Sequence, residues 1–286
     1  MTQLPDSPAN YCYRHPDRQS FVLCQRCGRT ICPECQSPAA VGVHCPECMR
    51  ESRQSAPRVQ PRVVTAVRRA GRSGSPVVTY AIMALCVLVF LAELATGLLG
   101  PGGGIVENLL GYHPGLTLIA PWQMITTIFV HGGFLHILFN LFSLYVLGRQ
   151  LEPMVGRARF AALFLLSGIG GSVAVLLLSP GTFVVGASGA IFGLFAAYFV
   201  IARHLGANGT QLIVIIGINL AAGFFLPNIA WQAHLGGLIV GAMVGLIYVK
   251  TRSVRRRTAQ YLLLAGVFAL LVALVAVGVS YYGITA

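Results

Sequence analysis

The sequence predicts an all-α polytopic membrane protein of seven transmembrane helices, preceded by a small Cys/His-rich domain. Three observations predict it. The chain of 286 residues is 56% hydrophobic and only 10% charged, with a mean hydropathy of +0.74, far from the usual soluble balance in which about a quarter of residues are charged. Its apolar residues gather in runs of about 20, the length that crosses roughly 30 Å of hydrocarbon. Its basic residues alternate strictly between the connections of those runs, which is the positive-inside pattern.

The apolar runs are 77–99, 126–148, 160–178, 187–203, 210–226, 231–249 and 261–283. Eleven of the 20 basic residues precede the first run. Arg149, Arg157 and Arg159 lie between the second and third, Arg203 ends the fourth, and Lys250, Arg252, Arg255, Arg256 and Arg257 follow the sixth. The connections 100–125, 179–186 and 227–230 and the tail after 283 carry no Lys or Arg. This places the N-terminus in the cytoplasm and the C-terminus outside an inner (plasma) membrane. Residues 1–50 are polar and show no signal peptide, so the first run is expected to direct insertion. The net charge of +12 therefore reports orientation in a lipid bilayer, and no nucleic-acid partner is expected. The expected organisation is a Cys/His domain at 1–49, a basic linker at 50–76, six of the apolar runs at 77–250, and a basic loop with the seventh run at 251–286.

Seven of the eight cysteines fall in residues 12–48, grouped as Cys12-x2-His15, Cys24-x2-Cys27, Cys32-x2-Cys35 and Cys45-x2-Cys48. Four two-ligand knuckles supply eight ligands, enough for two tetrahedral zinc ions. Disulfides are the competing reading; a segment facing a reducing cytosol favours zinc. The order and gaps resemble the B-box type of zinc finger, in which alternate knuckles pair across each other. That resemblance implies one site from Cys12, His15, Cys32 and Cys35 and another from Cys24, Cys27, Cys45 and Cys48. His44 is an alternative to Cys45. About 37 residues cannot bury a self-sufficient apolar core, so metal binding would supply much of the folding free energy. Both ions would be structural, because each site is coordinatively closed. The domain is then either a purely structural module or a docking site for a cytosolic protein or a substrate tail. Residues 49–76 carry seven Arg with Pro, Ser and Gly and read as a flexible linker held near anionic lipid headgroups.

Polar side chains inside a bilayer are costly and face protein or a water-filled cavity. Here they share a depth, in the outer halves of the second, fourth and sixth helices: His131, His136 and Asn140; Ser188; His234. Gly186, Ala187, Gly189 and Ala190 clear the space around Ser188, whereas Ser143, Ser167 and Ser172 read as ordinary helix-packing serines. His234 heads a stripe with Gly237, Gly241 and Gly245, and Gly189, Gly193 and Ala197 form a matching stripe on the fourth helix. Close packing of the two stripes would bring the His234 ring within roughly 2.6–3.2 Å of the Ser188 hydroxyl, the reach needed for base catalysis. No carboxylate is expected at hand to orient His234, since Glu93 and Glu107 lie on the first helix and first loop and Glu152 at the cytoplasmic end. His136 and Asn140 share a helix face and can both donate to a developing oxyanion. His131 is expected at the mouth of the site, and Cys86 reads as packing.

These motifs, His131-x4-His136-Ile-Leu-Phe-Asn140, Gly186-Ala-Ser-Gly189 and Ala233-His-x2-Gly237-x3-Gly241, make the chain resemble a rhomboid intramembrane serine protease over roughly residues 76–250. The resemblance implies a six-helix core, Ser188 as nucleophile, His234 as general base, and an oxyanion hole from His136, Asn140 and the Ser188 backbone N–H. It implies no catalytic cofactor and transmembrane proteins as substrates, with 261–283 the extra span of a six-plus-one form. The family's first-loop Trp-Arg dipeptide reads Trp122-Gln123 here, and the loop 100–121 is rich in Gly. Two other classes compete. A non-proteolytic adaptor on the same scaffold would be expected to lose Ser188 or His234. A transporter would be expected to show repeated halves with interrupted helices.

Overall fold

The computed structural model describes residues 8–39, 41–55, 75–97, 104–206, 209–225 and 229–285. The chain divides into two units, residues 1–67 and 68–286. In the first, the short strands β1 (Tyr11–Cys12) and β2 (His15–Gln19) pair antiparallel, as do β3 (Ser37–Pro38) and β4 (Val43–His44), and helix α1 (Pro46–Ser55) follows. Ile31 is the one buried aliphatic side chain among the unit's described residues; the rest of its core is six buried cysteines. So little apolar area cannot offset the entropy of ordering the chain, and the fold needs another source of free energy. The expected linker at 50–76 begins as the last turns of α1, and its residues 56–74 lie outside the described residues.

The second unit is helical: α2 (Val77–Ala95), the short α3 (Ile105–Leu110) and α4 (Gln123–Thr126), then α5 (Phe134–Val155), α6 (Arg157–Leu178), α7 (Ser188–His204), α8 (Thr210–Phe225), α9 (Trp231–Lys250) and α10 (Arg257–Tyr282). Among the described residues, α2, α5, α6, α9 and the C-terminal helix are long and apolar enough to cross a membrane, and α7 is a shorter apolar helix. The expected second span, 126–148, is displaced. Residues 123–129 form α4 and a 3-10 turn, the chain then extends through Val130, and Gly133 at φ +152° starts a new helix. Hydropathy cannot see that break, because Gly132-Gly133 interrupts the backbone without interrupting the apolar run. At its other end α5 continues through Glu152 and Pro153 until Gly156, at φ +89°, turns the chain into α6.

Helix α9 packs against both α6 and α7, and glycine sets the spacing. A Cβ on Gly237 would collide with the Gly189 carbonyl, one on Gly241 with the Gly193 backbone, and one on Gly245 would lie 2.9 Å from Ala197 Cα. On the α6 side a Cβ on Gly236 would collide with the Gly170 carbonyl and one on Gly171 would sit 2.9 Å from the Ala233 carbonyl oxygen. In lipid, where apolar surface gains nothing from leaving water, such van der Waals contact holds helices together.

Glu152 anchors the start of α2. Its carboxylate is buried and accepts the backbone N–H groups of Val78 and Thr79 at 2.9 and 2.7 Å and the Thr79 hydroxyl at 2.7 Å. A helix N-terminus presents unpaired donors and partial positive charge, and a carboxylate answers both. Gly148, one turn before Glu152, leaves room for the Thr79 side chain. At the far end of the chain, α10 is tied to α6 by Gln260, which accepts from Arg159 at 2.7 Å and donates to Thr251 at 2.6 Å. Glu152→Ala would strand three donors, two of them on buried Thr79, and we expect it to lower stability by roughly 3 kcal/mol, read as a drop in thermal midpoint in detergent, with Glu152→Gln intermediate. An unchanged midpoint for Glu152→Ala would show that the cap is unimportant.

Candidate functional site

The segment before α7 is held on both sides. Tyr112 and Val184 exchange both backbone hydrogen bonds, at 2.9 and 3.0 Å, the Thr127 hydroxyl donates to the Val184 carbonyl at 2.5 Å, and the Gly186 N–H donates to the Thr127 carbonyl at 3.0 Å. Gly186 has φ +117°, and a Cβ there would lie 2.6 Å from His136 Nε2. Only glycine permits both that conformation and that approach. Ser188 is thereby placed as the first residue of α7, close to where the His136 ring from α5 covers Gly186.

His234, on the second turn's edge of α9, places Nε2 2.9 Å from Ser188 Oγ. With Nε2 unprotonated the Ser188 hydroxyl donates to it, the arrangement in which an imidazole can remove a hydroxyl proton. The other ring nitrogen, Nδ1, is buried without a partner among the described residues. The ring is oriented by stacking: it lies on Phe192 with centroids 4.2 Å apart and planes 11° from parallel. Phe192 was not foreseen from the sequence, although it stands one helical turn after Ser188, where a side chain of α7 can reach the same neighbour. Asn140 is buried and its amide donates to the His136 carbonyl at 2.8 Å.

Ser188, His234, His136 and Asn140 line one cavity of about 1160 Å³, large enough to take a stretch of extended peptide. Its wall also includes Glu107, a first-loop carboxylate expected to lie away from His234. His131 differs from its expected place at the mouth. It precedes α5 in an extended stretch, is fully buried, and packs its ring edge-on to His136 with centroids 5.3 Å apart, while its N–H donates to both Glu93 carboxylate oxygens at 3.1 and 3.2 Å. The first loop is fastened by the residue that departs from the Trp-Arg pattern. Gln123, buried, accepts the His113 N–H at 3.2 Å and donates to the carbonyls of Asn108 and Leu109 at 3.2 and 3.4 Å. An arginine could make the donations but has no acceptor to offer.

In the N-terminal unit the structure gathers Cys12, His15, Cys32 and Cys35 into one group and Cys24, Cys27, Cys45 and Cys48 into another, with ligand atoms all within 4.8 Å of one another in each. The His15 Nδ1 distances to Cys32 and Cys35 are 3.3 and 3.5 Å, and Cys27 lies 3.7 Å from Cys45. Four donors about 2.0–2.3 Å from a central ion stand roughly 3.3–3.8 Å apart, so both groups fit a tetrahedral metal ion. Cys45 rather than His44 is the member of the second group, and no cysteine is in a disulfide. The charge balance points the same way. Burial opposes ionisation of Cys12 and Cys24, yet backbone N–H groups, including those of Cys32 and Arg14 for Cys12 and of Cys45 and Cys27 for Cys24, hold each at about 6. Burial and the neighbouring thiols push Cys35 up to about 11 and Cys48 to about 12. A divalent cation is what would let every thiol of a group ionise together.

Comparison with known proteins identifies the helical unit. The Rhomboid domain model matches residues 120–251. The chain is 38% identical over 224 residues to the rhomboid protease GluP of Bacillus subtilis (strain 168), spanning 74% of this chain and 42% of that protein. It is 34% identical over 189 residues to the putative rhomboid protease YdcA of the same organism, spanning 63% of this chain and 92% of that protein. It is 42% identical over 138 residues to RHOMBOID-like protein 5 of Arabidopsis thaliana, spanning 44% of this chain and 43% of that protein. The chain thus covers nearly all of YdcA but less than half the length of the other two.

The two Cys/His groups lie outside the matched domain, and their separation in space makes its own prediction. Metal analysis of the purified chain should give about two ions per molecule, and Cys24→Ser about one, with the ion lost below neutral pH as thiolates protonate. Equal loss of both ions in Cys24→Ser would break the assignment of ligands to two independent groups.

Proposed function

The chain belongs to the rhomboid family, a multi-pass membrane family that includes proteases, and from that membership we propose that it is an intramembrane serine endopeptidase acting through a Ser188–His234 dyad. The observation that carries the proposal is the 2.9 Å approach of His234 Nε2 to Ser188 Oγ in a cavity whose lining also includes His136 and Asn140. Ser188 attacks the scissile carbonyl while His234 takes its proton. The oxyanion is met by the Ser188 N–H, His136 and Asn140, each donor contributing about 2.7–4 kcal/mol where such donors have been removed in other enzymes. Expulsion of the amine, protonated by His234, leaves an acyl-enzyme on Ser188. Water entering from the open side of the cavity then hydrolyses it, with His234 again as base. Packing on Phe192, in place of a carboxylate, keeps the imidazole aimed.

The substrates on this reading are transmembrane proteins whose helices reach the cavity from the lipid and unwind near their outer ends. The charge alternation supports an orientation with residues 1–76 in the cytoplasm and the cavity opening to the external face of an inner membrane. We assign zinc to both Cys/His groups, because thiolate and imidazole donors in closed tetrahedra suit it. Zinc, when bound, supplies folding free energy to the N-terminal unit and takes no part in hydrolysis. The core is then 77–250, with 251–286 an appended loop and helix.

The test is covalent labelling of the detergent-solubilised protein with a fluorophosphonate, which reports an activated serine without requiring a known substrate. Wild type should label, and both Ser188→Ala and His234→Ala should lose labelling by at least about a thousandfold. Labelling that survives in Ser188→Ala would remove the nucleophile assignment. Wild type that fails to label beside an active rhomboid control would favour a non-proteolytic adaptor.

A further inference from the structure

The cavity wall contains one charged side chain that the proposed hydrolysis leaves unused. Glu107 lies in the middle of α3, half-buried, and lines the same cavity as Ser188 and His234. Its carboxylate stands over Gly132: a Cβ built there would be 4.0 Å from Glu107 Oε1 and 3.6 Å from Val185 Cγ2. Val185 directly precedes Gly186, the residue covered by His136. The carboxylate is therefore beside the segment that leads into Ser188, within a few substrate residues of the reacting bond.

Among the described residues no ion pair includes Glu107. The connections on its side of the membrane, 100–125, 179–186 and 227–230, and the tail after 283 contain no Lys or Arg at all. The other carboxylate in this region, Glu93, is satisfied by the His131 N–H. Meanwhile α3 itself is fixed: Gln123 and Trp122 donate to the Leu109 carbonyl, Gln123 also to that of Asn108, and Thr126 to that of Leu110. A carboxylate held by a rigid support, partly removed from water and lacking a counter-charge, is poised to receive a cation from a ligand.

We propose that Glu107 is a specificity-determining residue whose carboxylate binds a Lys or Arg side chain of the substrate, within a few residues of the scissile bond. The inference rests on the protease reading above. It gives that reading a selective filter, because the outer flanks of membrane helices are poor in Lys and Arg, so a basic residue there singles out few proteins.

The experiment uses the full chain in proteoliposomes and a transmembrane test substrate in which a single Lys, Ala or Glu is scanned through the residues flanking the cleavage site. At one register wild type should cleave the Lys substrate about tenfold faster in kcat/KM than the Ala substrate, and the Glu substrate more slowly still. Glu107→Gln should bring the Lys-to-Ala ratio to about one, and Glu107→Lys should invert the order in favour of the Glu substrate. A Lys-to-Ala ratio that is the same in wild type and Glu107→Gln, with the Ala substrate still cleaved, would overturn the role of Glu107 alone. Absence of cleavage of every substrate by wild type would overturn it together with the protease reading.

Discussion

The backbones of α7 and α9 touch. Three successive turns of α9 present Gly237, Gly241 and Gly245 to Gly189, Gly193 and Ala197 of α7, and at the first two a single methyl group would overlap main-chain atoms of the other helix. Ser188 stands at the start of one stripe and His234 three residues before the other. The separation of their side chains is therefore set by how closely two helix axes can approach, and 2.9 Å between Nε2 and Oγ is the result. Larger residues along either stripe would move the imidazole away from the hydroxyl. Helix α6 closes the same core from the other side, with Gly170 and Gly171 against Gly236 and Ala233.

Around this apolar seam, polar groups are placed where each has something to do. Glu152 caps α2 across 73 and 74 residues of sequence, and Gln123 supplies both a donor and an acceptor to the loop that carries α3. Glu93 holds the His131 amide, and His131 in turn backs His136. A buried polar group without a partner is costly, so the unpartnered atoms stand out. His234 Nδ1 and His131 Nε2 are both buried and free of partners among the described residues, while each ring is held by an aromatic contact and by its other nitrogen, His131 Nδ1 donating to the Phe129 carbonyl at 3.1 Å and His234 Nε2 facing Ser188 Oγ. The cost is tolerable for a neutral imidazole and leaves Nε2 of His234 as the nitrogen that faces Ser188.

Much of this was legible in the sequence because its signals are local. Apolar runs of span length, four two-ligand knuckles, and glycine stripes at helical spacing each need only a few neighbouring residues to be read. The start of α5 was misplaced by eight residues because hydropathy reports burial in lipid and is blind to the Gly132-Gly133 backbone break. His131 was read as if on a helix face, when it belongs to the extended stretch before one. The roles of Glu152 and Gln123, and the presence of Glu107 in the cavity, arise from contacts between segments far apart in sequence, which no periodicity records. Phe192 lies between these cases: its spacing from Ser188 was visible, but stacking on a ring from another helix was not.

If glycine-permitted contact between α7 and α9 is what brings His234, the proposed base, to Ser188, the rate of fluorophosphonate labelling of Ser188 should fall in Gly241→Ala and not in a Gly266→Ala control. A Cβ at Gly266 meets nothing within 4 Å, whereas one at Gly241 meets the Gly193 backbone. In protein that remains helical and monodisperse, Gly241→Ala should label at least about tenfold more slowly than wild type while Gly266→Ala labels at the wild-type rate. Labelling of Gly241→Ala at the wild-type rate would show that the Ser188–His234 approach is held by something other than the packing of the two helices.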